Sequence, residues 1–225
     1  MKEFYYCFLY VIITNSVHLQ SNDDLMEPIA DMMGIFSDKV INGVYDSTNS
    51  DCPESCNCRL FGLRSNITLD INCKKEIEKI QLPVNITDVL YTTTLNLKNI
   101  GLKFMPKNIC NYKRLSQINL QHNKLNNSNE IEKLNCKGDR YLSVIDLSSN
   151  NLTKLKGDLG KIEKFNKNRI ENFTFIAENN KINNLSPDFF KNVKYDYIFI
   201  YFKNNPISKD QIEKFKSKPR FNLFY

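Results

Sequence analysis

One eleven-residue pattern constrains this chain more than any other feature. Leu115, Ile118, Leu120, Asn123 and Leu125 stand at its positions one, four, six, nine and eleven, and Leu142, Ile145, Leu147, Asn150 and Leu152 repeat the arrangement. A weaker copy precedes them, with Leu95, Leu97 and Leu102 in place but Ile100 where Asn is expected. Two more follow, one through Phe175, Ala177, Asn180 and Ile182, the other through Tyr197, Ile200, Phe202, Asn205 and Ile207. Successive copies start 23, 27, 30 and 25 residues apart, so the period belongs to a supersecondary unit and not to a single helix or strand.

Each position has a physical task. Alternation at Ile118 and Leu120 puts two apolar side chains on one face of a short strand. The Asn three residues later turns the chain, because its amide donates to and accepts from backbone groups that the turn leaves unpaired. A single copy cannot bury its own apolar edge, so copies are expected to stack into a curved parallel sheet. Between copies, Leu102, Met105, Pro106 and Ile109 predict an extended or one-turn helical crossing, as do Leu185, Pro187, Phe189 and Phe190. Leu155, Leu159, Ile162 and Phe165 are spaced for a short helix face. Asn172 falls where its copy should begin with a buried apolar residue.

The ends of such a stack need covers. In front, Ile67, Leu69 and Ile71 alternate as a strand before Cys73. Behind, residues 211–217 predict a short helix, and Phe221 and Leu223 predict a last strand. The organisation expected is therefore a signal peptide over 1–16, an acidic, poorly ordered arm over 17–51, a cysteine-rich N-terminal cap over 52–91, repeats over 92–207, and a capping helix and strand over 208–225.

The N-terminal assignment rests on the apolar run Phe4 to Ile13, which is too short to cross a bilayer and fits the core of a secretory signal. No later run is long enough to anchor the chain. Removal of the signal takes Cys7 with it and leaves Cys52, Cys56, Cys58, Cys73, Cys110 and Cys136, an even number that suits a disulfide framework outside the cell. A four-cysteine zinc site is the competing reading, and the oxidising compartment disfavours it. Cys110 and Cys136 lie five and six residues before Leu115 and Leu142, equivalent places on adjacent copies, and are expected to form a bridge. N-glycosylation sequons begin at Asn66, Asn85, Asn126, Asn151, Asn172 and Asn184; that at Asn172 depends on the uncertain start of its copy, and the other five are the expected acceptors.

The cap motif Cys52-Pro53, Cys56 and Cys58, together with the repeat, resembles the extracellular leucine-rich-repeat superfamily that includes Slit-like proteins, small leucine-rich proteoglycans and Toll-like receptors. The resemblance covers residues 52–225 and implies an α/β solenoid, a horseshoe with a curved parallel sheet. It also implies pairing of the first cap cysteine with the third and the second with the fourth, Cys52–Cys58 and Cys56–Cys73. The chain departs from the pattern in lacking a cysteine-rich C-terminal cap after Asn205-Pro206.

Function is expected to be binding. Strand alternation sends Thr94 and Asn96, Gln117 and Asn119, Val144 and Asp146, Thr174 and Ile176, then Phe199 and Tyr201 to the concave face. That surface becomes apolar and aromatic toward the C-terminus. Val144, Ile176, Phe199 and Tyr201 are the candidate contact for an extracellular protein ligand, with Asp146, Glu178 and Lys203 orienting it.

Glycosaminoglycan binding is the alternative. The net charge is +6, residues 17–51 hold −6 and residues 1–16 hold zero, so residues 52–225 carry +12. Lysines cluster at 154, 156, 161, 164 and 167 with Arg169, and again at 214, 216 and 218 with Arg220. No enzyme is expected, since His122 stands beside no Ser or Cys nucleophile. No cofactor, metal or nucleic-acid partner is expected either.

Overall fold

The computed structural model describes residues 40–41, 44–45, 52–63, 66–84, 92–136, 141–164, 167–169, 171–216 and 219–225. The chain divides into two compact units, Met1–Val40 and Ile41–Tyr225, and the architecture below is that of the second. The expected signal peptide, most of the acidic arm and Asn85 lie outside the described residues.

Ten strands join one sheet in chain order: β1 (Val40–Ile41), β2 (Val44–Tyr45), β3 (Cys56–Leu63), β4 (Asn66–Cys73), β5 (Thr92–Asn96), β6 (Gln117–Asn119), β7 (Val144–Asp146), β10 (Asn172–Ile176), β13 (Tyr197–Tyr201) and β14 (Phe221–Phe224). On the opposite side β8 (Lys154–Leu155) pairs with β11 (Asn184–Leu185), and β9 (Ile162–Glu163) pairs with β12 (Val193–Lys194). The large sheet is mixed. β2, β3 and β4 run antiparallel, and every pairing from β4 to β14 is parallel.

Alternation decides which side chains enter the core. Leu95, Ile118, Ile145, Phe175 and Ile200 share one register row and are all buried. Leu97, Leu120, Leu147, Ala177 and Phe202, two residues further along, are buried beside them. The core changes character along the sheet. Around β5 to β7 it is mostly aliphatic, and from β10 onward it gains Phe173, Phe175, Phe189, Phe190, Phe202, Phe215 and Phe221. Phe175 meets Phe190 edge-on at 5.1 Å between centroids, and Phe189 meets Phe190 at 5.0 Å, the geometry that aromatic quadrupoles prefer. Each fully buried ring contributes about 1.5–3 kcal/mol of transfer free energy.

The turn after each strand is built alike. The chain passes through left-handed backbone at Asn99, His122, Ser149, Asn179 and Asn204, with φ between 54° and 59°. The next residue is the recurring Asn of the sequence pattern, except at Ile100. Asn150 shows the bonding: its Nδ2 donates to Leu147 O and Leu120 O, both at 2.9 Å, while its Oδ1 accepts from Leu125 N at 3.0 Å. Asn123, Asn180 and Asn205 make the equivalent contacts with the segment before each of them. An amide suits this position because it offers two N–H donors and a separate carbonyl acceptor on a short side chain, whereas a hydroxyl has a single donor.

The return segments are not alike. After β5 the chain makes a 3-10 turn at Ile109–Asn111, and after β6 a one-turn helix α1 (Ser128–Ile131) followed by a 3-10 turn at Glu132–Leu134. After β7 come β8 and β9. After β10 come β11, a 3-10 turn at Pro187–Phe190, and β12. After β13 comes α2 (Lys209–Lys216). The helix face expected through Leu155, Leu159 and Ile162 does not form. Gly157 and Gly160 hold φ of 81° and 99° between those residues, which a right-handed helix cannot contain, and β8 and β9 take its place. Phe165 lies outside the described residues.

The expected leucine-rich-repeat solenoid, a horseshoe, is therefore corrected to one mixed α/β sheet domain, with two small accessory sheets and two short helices among the described residues. Strand and turn recur, but returns of different length and composition build different structures, so the stack is not a uniform one. The expected acidic arm also yields part of itself to the sheet: Val44 and Tyr45 lie opposite Phe61 and Leu60.

Three disulfides are present, Cys52–Cys58, Cys56–Cys73 and Cys110–Cys136. Cys56–Cys73 joins β3 to β4, Cys52–Cys58 ties the segment before β3 to that strand, and Cys110–Cys136 joins the returns that follow β5 and β6, so the cysteines do not make up a single N-terminal cap.

Candidate functional site

The outer sheet face is described by two register rows. The first runs Phe61, Thr68, Thr94, Gln117, Val144, Thr174, Phe199, Asn222. The second runs Arg59, Asp70, Asn96, Asn119, Asp146, Ile176, Tyr201, Phe224. In the second row polar groups extend as far as β7, and apolar groups take over from β10.

The polar half is occupied with itself. Asp70 accepts from Asn96 Nδ2 and from Asn72 Nδ2, both at 2.6 Å. Asp146 is 9% exposed; it accepts from Ser148 N at 2.9 Å and from the Gln121 side-chain amide. Its carboxylate is therefore committed to local hydrogen bonds. Val144, Ile176 and Glu178 are half-buried, while Lys203 is exposed. The seven residues expected on one concave binding face do not share one character, and the described residues provide no uniform concave module, so the expected concave leucine-rich-repeat binding module is corrected.

The apolar half ends in a column of rings. Tyr201 stacks on Phe224 with centroids 4.5 Å apart and planes 9° from parallel, and Phe199 lies 6.4 Å from Phe224 at 19°. Phe224 remains 45% exposed, and Tyr197, at the start of β13, equally so. Phe224 stands on β14, the last strand in the sheet order. The alternation of Phe221 and Leu223 pointed to the strand, but its pairing with β13 and the contact of Phe224 with Tyr201 depend on a register that only the fold supplies.

His122 occupies one of the left-handed turn positions, and its N–H donates to Ser148 O at 3.0 Å. The basic cluster is partly neutralised: Lys164 is paired with Asp196 at 2.9 Å and Lys161 with Glu163 at 3.2 Å. Among the described residues no group of three or more His, Cys, Asp or Glu is placed to hold a metal ion. Pro53, Ile77, Lys79, Ile80, Gln81, Leu82 and Val84 line an open groove of about 390 Å³, which contains no carboxylate, imidazole or thiol. Of the expected glycan acceptors, Asn126 is exposed, and Asn151 and Asn184 are half-buried. Asn172, whose place in the pattern was unclear, is exposed at the start of β10, and Phe173 is buried in its stead. Asn66 begins β4. No helix among the described residues is long and apolar enough to cross a membrane.

No protein-family model matches the chain, and no curated protein sequence matches it. The mixed sheet and the unequal returns correct the expected membership of the leucine-rich-repeat superfamily and the description of the chain as a repeat protein.

Proposed function

We propose that this chain is a secreted, non-catalytic protein that binds another extracellular protein at the aromatic end of its sheet, on β13 and β14. The observation that carries the reading is the Tyr201–Phe224 stack, with Phe224 45% exposed on the last strand of the sheet. Exposed large apolar side chains gathered in one place cost solubility and mark contact sites, and aromatic residues are favoured interface anchors. The strand edge adds main-chain donors and acceptors that suit an extended segment of the partner. The six paired cysteines support an oxidising compartment. The non-catalytic reading draws support from the commitment of Asp146 to local hydrogen bonds and from the structural place of His122.

Affinity capture from the extracellular medium of the source tests this, with wild type, Tyr201→Ala, Phe224→Ala and the remote control Lys154→Ala compared side by side. The expected result is one protein retained by wild type and by the lysine variant. Each aromatic variant should bind it about 30-fold more weakly, which corresponds to about 2 kcal/mol. Equal retention by all four chains would refute the reading, as would retention of sulfated polysaccharide alone with a steep dependence on salt.

A further inference from the structure

β14 pairs with β13 on one side, and among the described residues no strand lies on its other side. The carbonyls of Arg220 and Phe224 accept from Ile198 N at 2.8 Å and Phe202 N at 2.7 Å, so they face β13. Strand alternation then turns the N–H and C=O of Leu223 outward. An open edge in most proteins is blunted by a charge, a proline or a bulge within the strand. Residues 221–225 contain no charged residue and no proline, in a chain that is 25% charged. Leu223 is only half-buried against the core, and the outer face of the Phe224 ring ends the column that Tyr201 begins.

We infer that β14 pairs with β14 of a second copy of this chain, antiparallel about a two-fold axis at Leu223, so that two sheets become one. The inference rests on the aromatic end being the binding surface and takes the protein bound there to be a second copy of this chain. A neutral strand whose outward groups are main-chain amides calls for another neutral strand, and β14 itself has the required pattern. A two-fold axis perpendicular to the sheet keeps inner and outer faces continuous. Leu223 then meets its counterpart as a hydrogen-bonded pair, each giving one N–H and accepting one. Asn222 of each chain comes beside Phe224 of the other on the outer face, as a pair without direct main-chain hydrogen bonds. Phe224 is thereby covered on both sides, and Leu223 completes a core row that runs on into the second copy.

The test is sedimentation of the full chain across a concentration series, for wild type, Leu223→Pro and Phe224→Lys, with melting temperature recorded for each. Proline at 223 removes an outward N–H and spares the bonds to β13; lysine at 224 places like charges beside the axis. The expected result is a wild-type dimer whose dissociation constant rises at least about tenfold in both variants, with wild-type melting. A labelled peptide copying residues 219–225 should bind wild type and dissociate the dimer. A wild-type chain that is monomeric throughout overturns the second copy as occupant. If that monomer binds the peptide and Phe224→Lys does not, the edge still serves as a binding surface; if neither binds, the proposed surface fails as well. A dimer unchanged in both variants also overturns the inference.

Discussion

Replacing Asn150 by alanine separates the two tasks of its amide. The side chain is buried; it donates at 2.9 Å to Leu147 O and Leu120 O and accepts at 3.0 Å from Leu125 N. The two carbonyls would not be orphaned, because Leu120 O also accepts from Asn123 at 3.0 Å and Leu147 O from Asn180 at 2.9 Å. Leu125 N–H loses its side-chain acceptor in a buried setting, which costs about 1–3 kcal/mol, and the two lost donations add about 0.5–1 kcal/mol each. The expected destabilisation is therefore about 3 kcal/mol, read as a lower urea midpoint at unchanged m-value. Asn150→Asp keeps the acceptor and turns the donor into a second acceptor facing two carbonyls. A buried carboxylate in that place has its pKa raised above the unfolded value. Its penalty is absent at low pH, grows as pH rises above the unfolded value near 4, and levels off above the folded one. The aspartate variant should thus fall below the alanine variant at neutral pH and approach wild type in acid. A loss under about 1 kcal/mol for Asn150→Ala, or an aspartate variant insensitive to pH, would refute the argument that the amide holds adjacent segments together.

Three further outcomes follow from the same geometry. Gly101 has φ of 85°, and a Cβ there would lie 2.7 Å from Glu76 Cβ and 3.1 Å from its Cα, so Gly101→Ala should destabilise by about 1–3 kcal/mol in the same assay. Removing Cys110–Cys136 by paired alanine substitution opens a loop of 26 residues and should cost about 3 kcal/mol, with unreduced wild type yielding no reactive thiol at either position. Asp196 is held below its ordinary value of 3.8, first by the backbone N–H of Glu171 and then by Lys164. A depressed carboxylate contributes stability above its unfolded pKa and loses it as pH falls through the folded value, so Asp196→Asn should reduce the acid sensitivity of melting below about pH 4.

Much of the fold was legible because it depends on short-range chemistry. Period-two alternation at Ile118 and Leu120, or at Phe173 and Phe175, selects which side chains are buried whatever lies beside the strand. Asn123, Asn150, Asn180 and Asn205 could be read as turn residues because an amide supplies two donors and an acceptor on a short side chain. The returns were less legible. Leu155, Leu159 and Ile162 have helical spacing, but the left-handed backbone at Gly157 and Gly160 and the partners supplied by β11 and β12 produced strands instead.

What the chain determined by itself was the burial pattern, the turn chemistry and six cysteines between positions 52 and 136 available for pairing. Only the tertiary structure decided that β2 to β4 run antiparallel, that the returns differ, and that the whole is a mixed sheet domain. It likewise decided the candidate site. Val144 and Asp146 were grouped with Tyr201 by alternation, which assigns a face but says nothing of neighbours. The register placed Gln121 and Ser148 N on Asp146, closing the polar half, and Phe224 on Tyr201, leaving an aromatic end at the last strand. Alternation is a property of one strand, whereas access and pairing are properties of the strand beside it, and that neighbour lies 23 to 30 residues away along the chain.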